Sequence, residues 1–376
     1  MEYRTLGRTG YKISTIGLGT EYLHGKNAET VSSTIKYAIM NGVNYFDLVF
    51  SFEEYLDHLS GLFCDDRASV CLTGHLGSTV KNNQYLADKD PVRSIYYFER
   101  FLRKLNLEAV DILFLHCCDS EKDYQYVMSD SGILNTAEEL QKEGKAKYIG
   151  FSGHTVSTAM KAVKSGMIDV LMFPVHLAAN AVTGKRDLLN ACIKNNVGLI
   201  GMKPFAGGKL LQSDGSVNLE TYQIGDTKSF NLERTKKATS TRCISYVLAQ
   251  PGVSATVPGC GNVYELADCL TYFSASNEDK DFSDLVLDCR QFVLNECVYC
   301  NHCLPCPVGI DIGQVNRLYD LYENGSVSKK NIAVLYNQLN INASSCTQCG
   351  LCEKRCFFDV KVIDIMKKAA NKMEAL

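Results

Sequence analysis

The chain of 376 residues is long enough for about two and a half domains of roughly 150 residues, or for one α/β barrel of about 250 residues with a smaller appendage. Hydrophobic residues make up 46% and charged residues 22%, a globular balance that excludes wholesale disorder. With 39 Lys+Arg against 42 Asp+Glu, the net charge of −3 leaves no basic excess for nucleic acid. The opening MEYRTLGRTG lacks the apolar core of a secretory signal, and runs such as Val110–Leu115 fall far short of the roughly 20 residues that span a bilayer. A cytoplasmic chain with no membrane partner is expected.

In chain order, the apolar run Ile13–Thr20 predicts a strand, Glu29–Met40 a helix, and Tyr45–Phe50 and Val70–His75 two further strands. A helix at Val92–Leu105 precedes a strand at Val110–His116, and Thr136–Glu143 a strand at Tyr148–Gly153. Helices at Ser157–Lys164, Arg186–Lys194 and Thr235–Gln250 then alternate with strands at Val170–His176, Gly198–Pro204 and Ser254–Gly259. Thr136-Ala-Glu-Glu139 reads as a capping box opening its helix, and Gly144 as that helix's stop. The strands are almost continuously apolar, as parallel strands covered on both faces are. Eight β–α alternations predict a (β/α)8 TIM barrel over residues 1–283. A doubly wound open sheet is disfavoured, because GLGTEYLHG after the first strand lacks the G-x-G-x-x-G turn into a helix. The polar, Gly-rich stretch Ala206–Glu233 predicts a long loop after the seventh strand.

The chain holds 17 cysteines, and eight of them fall between Cys297 and Cys356, which marks a second domain over residues 284–376. Cys297-Val-Tyr-Cys300-Asn-His-Cys303-Leu-Pro-Cys306 and Cys346-Thr-Gln-Cys349-Gly-Leu-Cys352-Glu-Lys-Arg-Cys356 each present three thiolates at two-residue gaps, then a fourth. In two-cluster ferredoxins the fourth cysteine ligates the other cluster. By that rule Cys297, Cys300, Cys303 and Cys356 hold one [4Fe–4S] cluster, and Cys346, Cys349, Cys352 and Cys306 the other. The first motif has only two residues before its fourth cysteine, and Phe357 stands where proline usually follows the second. Structural zinc is the competing reading, but zinc sites usually combine separated cysteine pairs. Gly313–Glu323 and Lys330–Asn340 predict short helices packing the clusters of a helical, ferredoxin-like domain, and two such clusters suggest an oxygen-poor, anaerobic setting.

Several motifs follow one another in an ordered series. They are Tyr3-Arg-Thr-Leu-Gly-Arg-Thr-Gly10, Ile16-Gly-Leu-Gly-Thr20, Gly42-Val-Asn-Tyr-Phe-Asp47, Val110-Asp-Ile-Leu-Phe-Leu-His116, Glu143-Gly-Lys-Ala-Lys-Tyr-Ile-Gly-Phe-Ser152, Gly201-Met-Lys-Pro204 and Val257-Pro-Gly259. In order and spacing they resemble the aldo-keto reductases over about residues 3–275, and the tail resembles the ferredoxin-like extension of a bacterial branch of that family. The resemblance implies carbonyl reduction with NADPH by an Asp, Tyr, Lys and His at the strand ends, with Tyr as proton donor. Asp47 and His116 match two of these positions. Phe52 stands at the Tyr position and cannot donate a proton, and His75 or Gly74 falls at the Lys position.

For the nicotinamide, the resemblance implies a carboxamide contact at Ser152, with Lys203, Gly207, Pro258 and Gly259 around the phosphates. Val175 or His176 stands where an aromatic ring usually stacks, and Gly259-Cys-Gly-Asn-Val263 offers no basic residue to a 2′-phosphate. Binding of NADP(H) or NAD(H) is therefore left in question. His24, His75, His116, His154 and His176 gather at the strand ends or in adjoining loops, where imidazole can exchange protons or bind a metal.

Three functions stay open. In the first, an oxidoreductase acts on a small carbonyl or alcohol with electrons relayed through the clusters, and His116, His75 or a recruited Tyr55 handles the proton beside Asp47. A ferredoxin- or flavodoxin-type donor would be its electron partner. The second is a non-redox lyase or isomerase working through the Asp/His-rich rim. The third is an electron-transfer module for a partner redox enzyme.

Overall fold

A computed structural model describes residues 1–177, 182, 184–208, 210–211, 238–283, 285, 297, 303–323, 329–356 and 360–375. Eight parallel strands form one sheet: β3 (Leu18–Gly19), β4 (Tyr45–Asp47), β5 (Cys71–Leu76), β8 (Val110–Leu115), β9 (Ala146–Ser152), β10 (Val170–Pro174), β11 (Gly198–Met202) and β12 (Val253–Val257). Each pairs with its neighbour in sequence order. Parallel bridges Ile16↔Thr256 and Gly19↔Gly259 bring the first strand to the last, so the sheet closes as a barrel. Gly17 permits that closure, because a Cβ there would stand 2.8 Å from the Tyr45 ring and the Tyr45 carbonyl.

The strand period of two sorts the side chains. Ile112 and Phe114 of β8, like Val170 and Met172 of β10, fill the barrel's inside, while Leu113, Leu115, Leu171 and Phe173 face the surrounding helices. Below, the hairpin of β1 (Tyr3–Thr5) and β2 (Lys12–Ser14) pushes Leu6 and Ile13 into the barrel floor. The predicted strand Ile13–Thr20 is thus two elements: its start belongs to this hairpin, and only Leu18–Gly19 joins the barrel. Asp111 anchors the floor, accepting from Lys147 Nζ (2.8 Å), Arg67 Nη1 (2.8 Å) and the Leu72 amide (2.9 Å). Burial alone would raise its carboxyl pKa, but these bonds together outweigh burial and hold it below the usual value.

Helices α1 (Ala28–Met40), α2 (Glu53–Leu59), α3 (Pro91–Leu105), α4 (Glu121–Val127), α5 (Ile133–Lys142), α6 (Val156–Ser165), α7 (Lys185–Lys194), α8 (Ser240–Leu248) and α9 (Val263–Leu270) wrap the barrel. Asp90 caps α3 by accepting from the Arg93 amide at 2.8 Å, with Pro91 at the first helical position. The capping-box reading at Thr136 is corrected. The helix begins at Ile133, and Thr136 is buried inside it, because Ile133 and Leu134 extend the apolar face by a turn. The predicted helix Thr235–Gln250 and loop Ala206–Glu233 lie partly outside the described residues.

Between β5 and α3 the chain inserts an antiparallel hairpin that the sequence reading missed, β6 (Ser78–Lys81) and β7 (Gln84–Ala87). Its turn, Asn82-Asn83, has φ of 52° and 57°, the left-handed pair that a two-residue hairpin turn requires. In the tail, helices Ile312–Glu323, Lys329–Asn337, Leu351–Arg355 and Val362–Met373 enclose a separate core that includes Leu304, Val315, Tyr336 and Met366. No helix among the described residues is long and apolar enough to cross a membrane.

Candidate active site and cluster-binding tail

Asp47 ends β4, His75 lies near the end of β5, and His116 follows β8, so three neighbouring parallel strands deliver them to one end of the barrel. His75 Nε2 meets Asp47 Oδ1 at 2.8 Å, and His75 Nδ1 meets His116 Nδ1 at 2.9 Å. Thr73 Oγ1 also donates to Asp47 Oδ1 at 2.7 Å. The far nitrogen of His116, Nε2, is in hydrogen-bond contact with the hydroxyl of Tyr85, which reaches over from the inserted hairpin. All five side chains are buried.

The hydrogens of this chain follow from its acceptors. An ionised Asp47 only accepts, so His75 carries its hydrogen on Nε2 and, when neutral, accepts on Nδ1. His116 then donates from Nδ1 and accepts on Nε2, where the Tyr85 O–H points. One added proton reverses the last link. His116 becomes an imidazolium whose Nε2–H donates to the Tyr85 oxygen, which frees the phenolic hydrogen to turn outward. The backbone holding this end is fixed by Lys89 Nζ, which donates to the Cys117 carbonyl at 2.9 Å and to that of His116.

Of the sequence-derived acid–base residues, the structure unites Asp47, His75 and His116. Tyr55 is not with them. Its hydroxyl bonds Thr20 Oγ1 beneath the mouth, and burial raises its pKa, because its place on α2 turns it into the core. The phenol beside His116 is Tyr85, thirty residues later. The Lys81-Asn-Asn-Gln84 turn inside an otherwise extended stretch was the available signal for that hairpin. Phe52 stacks on His24 with ring centroids 4.1 Å apart, and Phe50 packs edge-on against both Phe52 and Tyr85. These rings make an aromatic wall beside the relay.

The residues that the resemblance assigned to a dinucleotide lie farther round the rim. Ser152 is buried at the end of β9, and its carbonyl accepts from the Cys118 amide at 3.0 Å. Lys203 follows β11 with φ of 57°, and Gly207 has φ of 73°. His176 is fully enclosed; burial, then the charges of Lys185 and Lys203, hold its pKa down at about 3, so it is a neutral wall. The Pro258 carbonyl accepts from the Gly19 amide at 2.9 Å and is committed to barrel closure.

At the turn after β12 the space for a dinucleotide's phosphate is partly taken by the protein's own side chains. The Tyr22 ring packs directly on Gly259, with the Arg317 guanidinium of the tail 5.9 Å from its centroid. Glu265 takes the Gly261 amide at 2.8 Å and the Asn262 side-chain amide at 3.1 Å. The Gly261 amide therefore already carries a carboxylate, which would repel a phosphate there.

The cysteine motifs do fit iron–sulfur clusters. Cys352 is buried, and Cys297, Cys303, Cys306, Cys346 and Cys356 are half-buried against the tail's core, while Cys349 is exposed. Arg355, beside Cys356, donates to the carbonyls of Cys303 (3.3 Å) and Pro305 (2.8 Å), tying the last cysteine of one motif to the loop of the other. Cys300 lies outside the described residues, as does Phe357. The Cys306 amide donates to Gln84 Oε1 at 3.1 Å, so the first motif rests on the hairpin that carries Tyr85.

Comparisons with known proteins agree with this architecture. The aldo/keto reductase family model matches residues 15–286, and a 4Fe-4S dicluster domain matches residues 293–360. Among curated relatives, L-galactose dehydrogenase of Arabidopsis thaliana is 26% identical over 71% of this chain and 86% of that protein. A probable aldo-keto reductase of Glycine max is 21% identical over 74% of this chain and 86% of its own length. Of solved structures, an aldo-keto reductase of Bacillus halodurans in its holo form superposes with a TM-score of 0.60 at 15% identity, covering 77% of this chain and 95% of that one. A putative aldo-keto reductase of Pseudomonas gives 0.56 at 20% identity, covering 72% and 94%. The chain is an oxidoreductase enzyme that belongs to the aldo/keto reductase family and carries a 4Fe-4S dicluster domain behind its barrel.

Proposed function

We propose that this enzyme interconverts a small organic carbonyl and its alcohol at the barrel mouth, with Tyr85, His116, His75 and Asp47 handling the oxygen-bound proton. The observation that carries the reading is one short hairpin with two attachments: Tyr85 on His116, and Gln84 on Cys306. The domain division is placed at residues 283/284. Two [4Fe–4S] clusters on the eight motif cysteines, Cys300 included, supply single low-potential electrons when bound. A ferredoxin- or flavodoxin-type donor in the cytoplasm is the partner this implies.

Reduction of a carbonyl to its alcohol consumes two electrons and two protons, one proton ending on carbon and one on oxygen. The relay is suited to the proton that ends on oxygen. A His116 imidazolium is stabilised through His75 by Asp47, and Tyr85 passes its hydrogen to the substrate oxygen while taking one from His116 Nε2. Transfer returns both histidines to the neutral arrangement. Tyr85 takes the role that Phe52 cannot perform, and the wall of His24, Phe50 and Phe52 favours a planar, unsaturated or aromatic carbonyl over a polyol.

The test is anaerobic turnover by the cluster-replete chain, with reduced viologen as donor and a panel of aldehydes and ketones. Alcohol formation is expected, with a loss of about 10²-fold or more in His116→Ala. A His116→Ala variant at wild-type rate, or no carbonyl turned over by the wild type, would sink the reading.

A further inference from the structure

Beside the relay lies a second cluster of side chains. Cys117 immediately follows His116, Asp119 lies two residues on, and His154 comes from the loop after β9. One donor atom from each, a sulfur, a carboxylate oxygen and an imidazole nitrogen, lies within 4.8 Å of the others. His154 Nδ1 is 2.9 Å from Asp119 Oδ2, and the His154 amide donates to Asp119 Oδ1.

The loop is tied down from several directions. Cys117 adopts φ of 54°, a left-handed conformation that a Cβ disfavours, and Lys89 holds its carbonyl. Thr158 Oγ1 donates to the Cys118 carbonyl and Thr155 Oγ1 to that of Asp119, each at 2.8 Å. The Asp119 and His154 side chains are almost wholly buried. Thiolate, imidazole and carboxylate together are the donor set of a zinc-type cation. Around tetrahedral zinc such donors stand about 3.3–3.7 Å apart, given metal–ligand distances of about 2.0–2.3 Å. The observed grouping is within about 1.5 Å of that spacing.

We propose that Cys117, Asp119 and His154 form a divalent-cation site of zinc type. Three protein ligands leave one coordination position open, the arrangement of a zinc that meets a reactant and not of a purely structural one. The Tyr85 hydroxyl is 3.8 Å from the Cys117 sulfur, so the cation sits against the relay, where the open position can take a substrate oxygen. That last use rests on the carbonyl reading; occupancy of the site does not.

The experiment uses the full, cluster-replete chain after dialysis against chelator, titrated with zinc. Zinc and iron are counted on the same sample, and the zinc environment is read by X-ray absorption. One equivalent of zinc is expected, with a single sulfur at about 2.3 Å and the remaining neighbours nitrogen or oxygen at about 2.0–2.2 Å. Cys117→Ser and His154→Gln should each weaken it at least tenfold with iron content unchanged. No zinc uptake, a shell of four sulfurs (zinc lodged in the cysteine motifs), or uptake unchanged in both variants overturns the site. Should a variant fail to fold, the wild-type absorption spectrum decides alone. Since no outcome depends on turnover, failure of the carbonyl reading leaves the titration untouched.

Discussion

The Cys306 amide donates to the side-chain oxygen of Gln84 at 3.1 Å, and the residue after Gln84 is the tyrosine that touches His116. The backbone amide of a motif cysteine is therefore tied to the strand that places the phenol. Because neighbouring side chains on a strand point to opposite faces, Gln84 can turn to the tail while Tyr85 turns to the barrel.

That relationship is testable by removing the acceptor. Gln84→Ala should lower donor-driven turnover by about three- to tenfold, in line with loss of a hydrogen bond of about 1 kcal/mol and some misplacement of Tyr85. Gln84→Glu keeps an acceptor and should stay closer to wild type. Iron content measured alongside separates docking from cluster loss. Equal rates in wild type and Gln84→Ala would show that the contact is passive.

Tyr85→Phe removes only the hydroxyl. Turnover should fall by about 10²- to 10⁴-fold, the range for losing a positioned proton donor, with little change in KM. Phe52→Tyr in the same background should not restore it, because residue 52 stands at the start of α2 with its ring stacked on His24. Rescue by that second change would mean that the family's usual phenol position is still competent.

Added NADPH is expected neither to bleach the cluster absorbance nor to shift its own fluorescence at micromolar protein. Tyr22 and Glu265 crowd the turn at Gly259–Gly261, near which the resemblance implies its phosphates. Glu265→Gln would remove the repulsive charge, so it should bind the dinucleotide better than wild type does. Tight binding by the unaltered chain would show that Tyr22 and Glu265 move aside.

His176 sets a pH dependence of stability. Its folded pKa, held down at about 3 first by burial and then by Lys185 and Lys203, lies below the unfolded value of about 6.5. Between these values the unfolded chain binds the extra proton. Stability is thus complete above pH 6.5 and falls as pH is lowered, by up to about 1.4 kcal/mol per unit. His176→Gln should flatten that fall. The comparison is of thermal midpoints by far-ultraviolet circular dichroism for both proteins between pH 7.5 and 5.5, and parallel curves would count against it.

The alternation of apolar strand runs with helices, and motif order, in the sequence determined the eight-stranded barrel, and the two-residue cysteine gaps determined the dicluster tail. Both are local signals: a buried parallel strand announces itself by a continuous apolar run such as Val110–Leu115, and a cluster loop by the spacing of its thiolates. Asp47 and His116 were legible because the ordered motifs that contain them resemble the family's, and His75 because it falls near the family's Lys position. Tyr55 and Tyr85 were not separable in that way. Each is one tyrosine near a barrel rim, and what distinguishes them is the helix that turns Tyr55 into the core toward Thr20 and the inserted hairpin that carries Tyr85 across to His116. The joining of Gln84 to Cys306, and of Cys117 and Asp119 to His154, was likewise decided only by the tertiary structure. Residues far apart along the chain meet through the closure of the barrel and the folding of the tail upon it, and no local pattern records such a meeting.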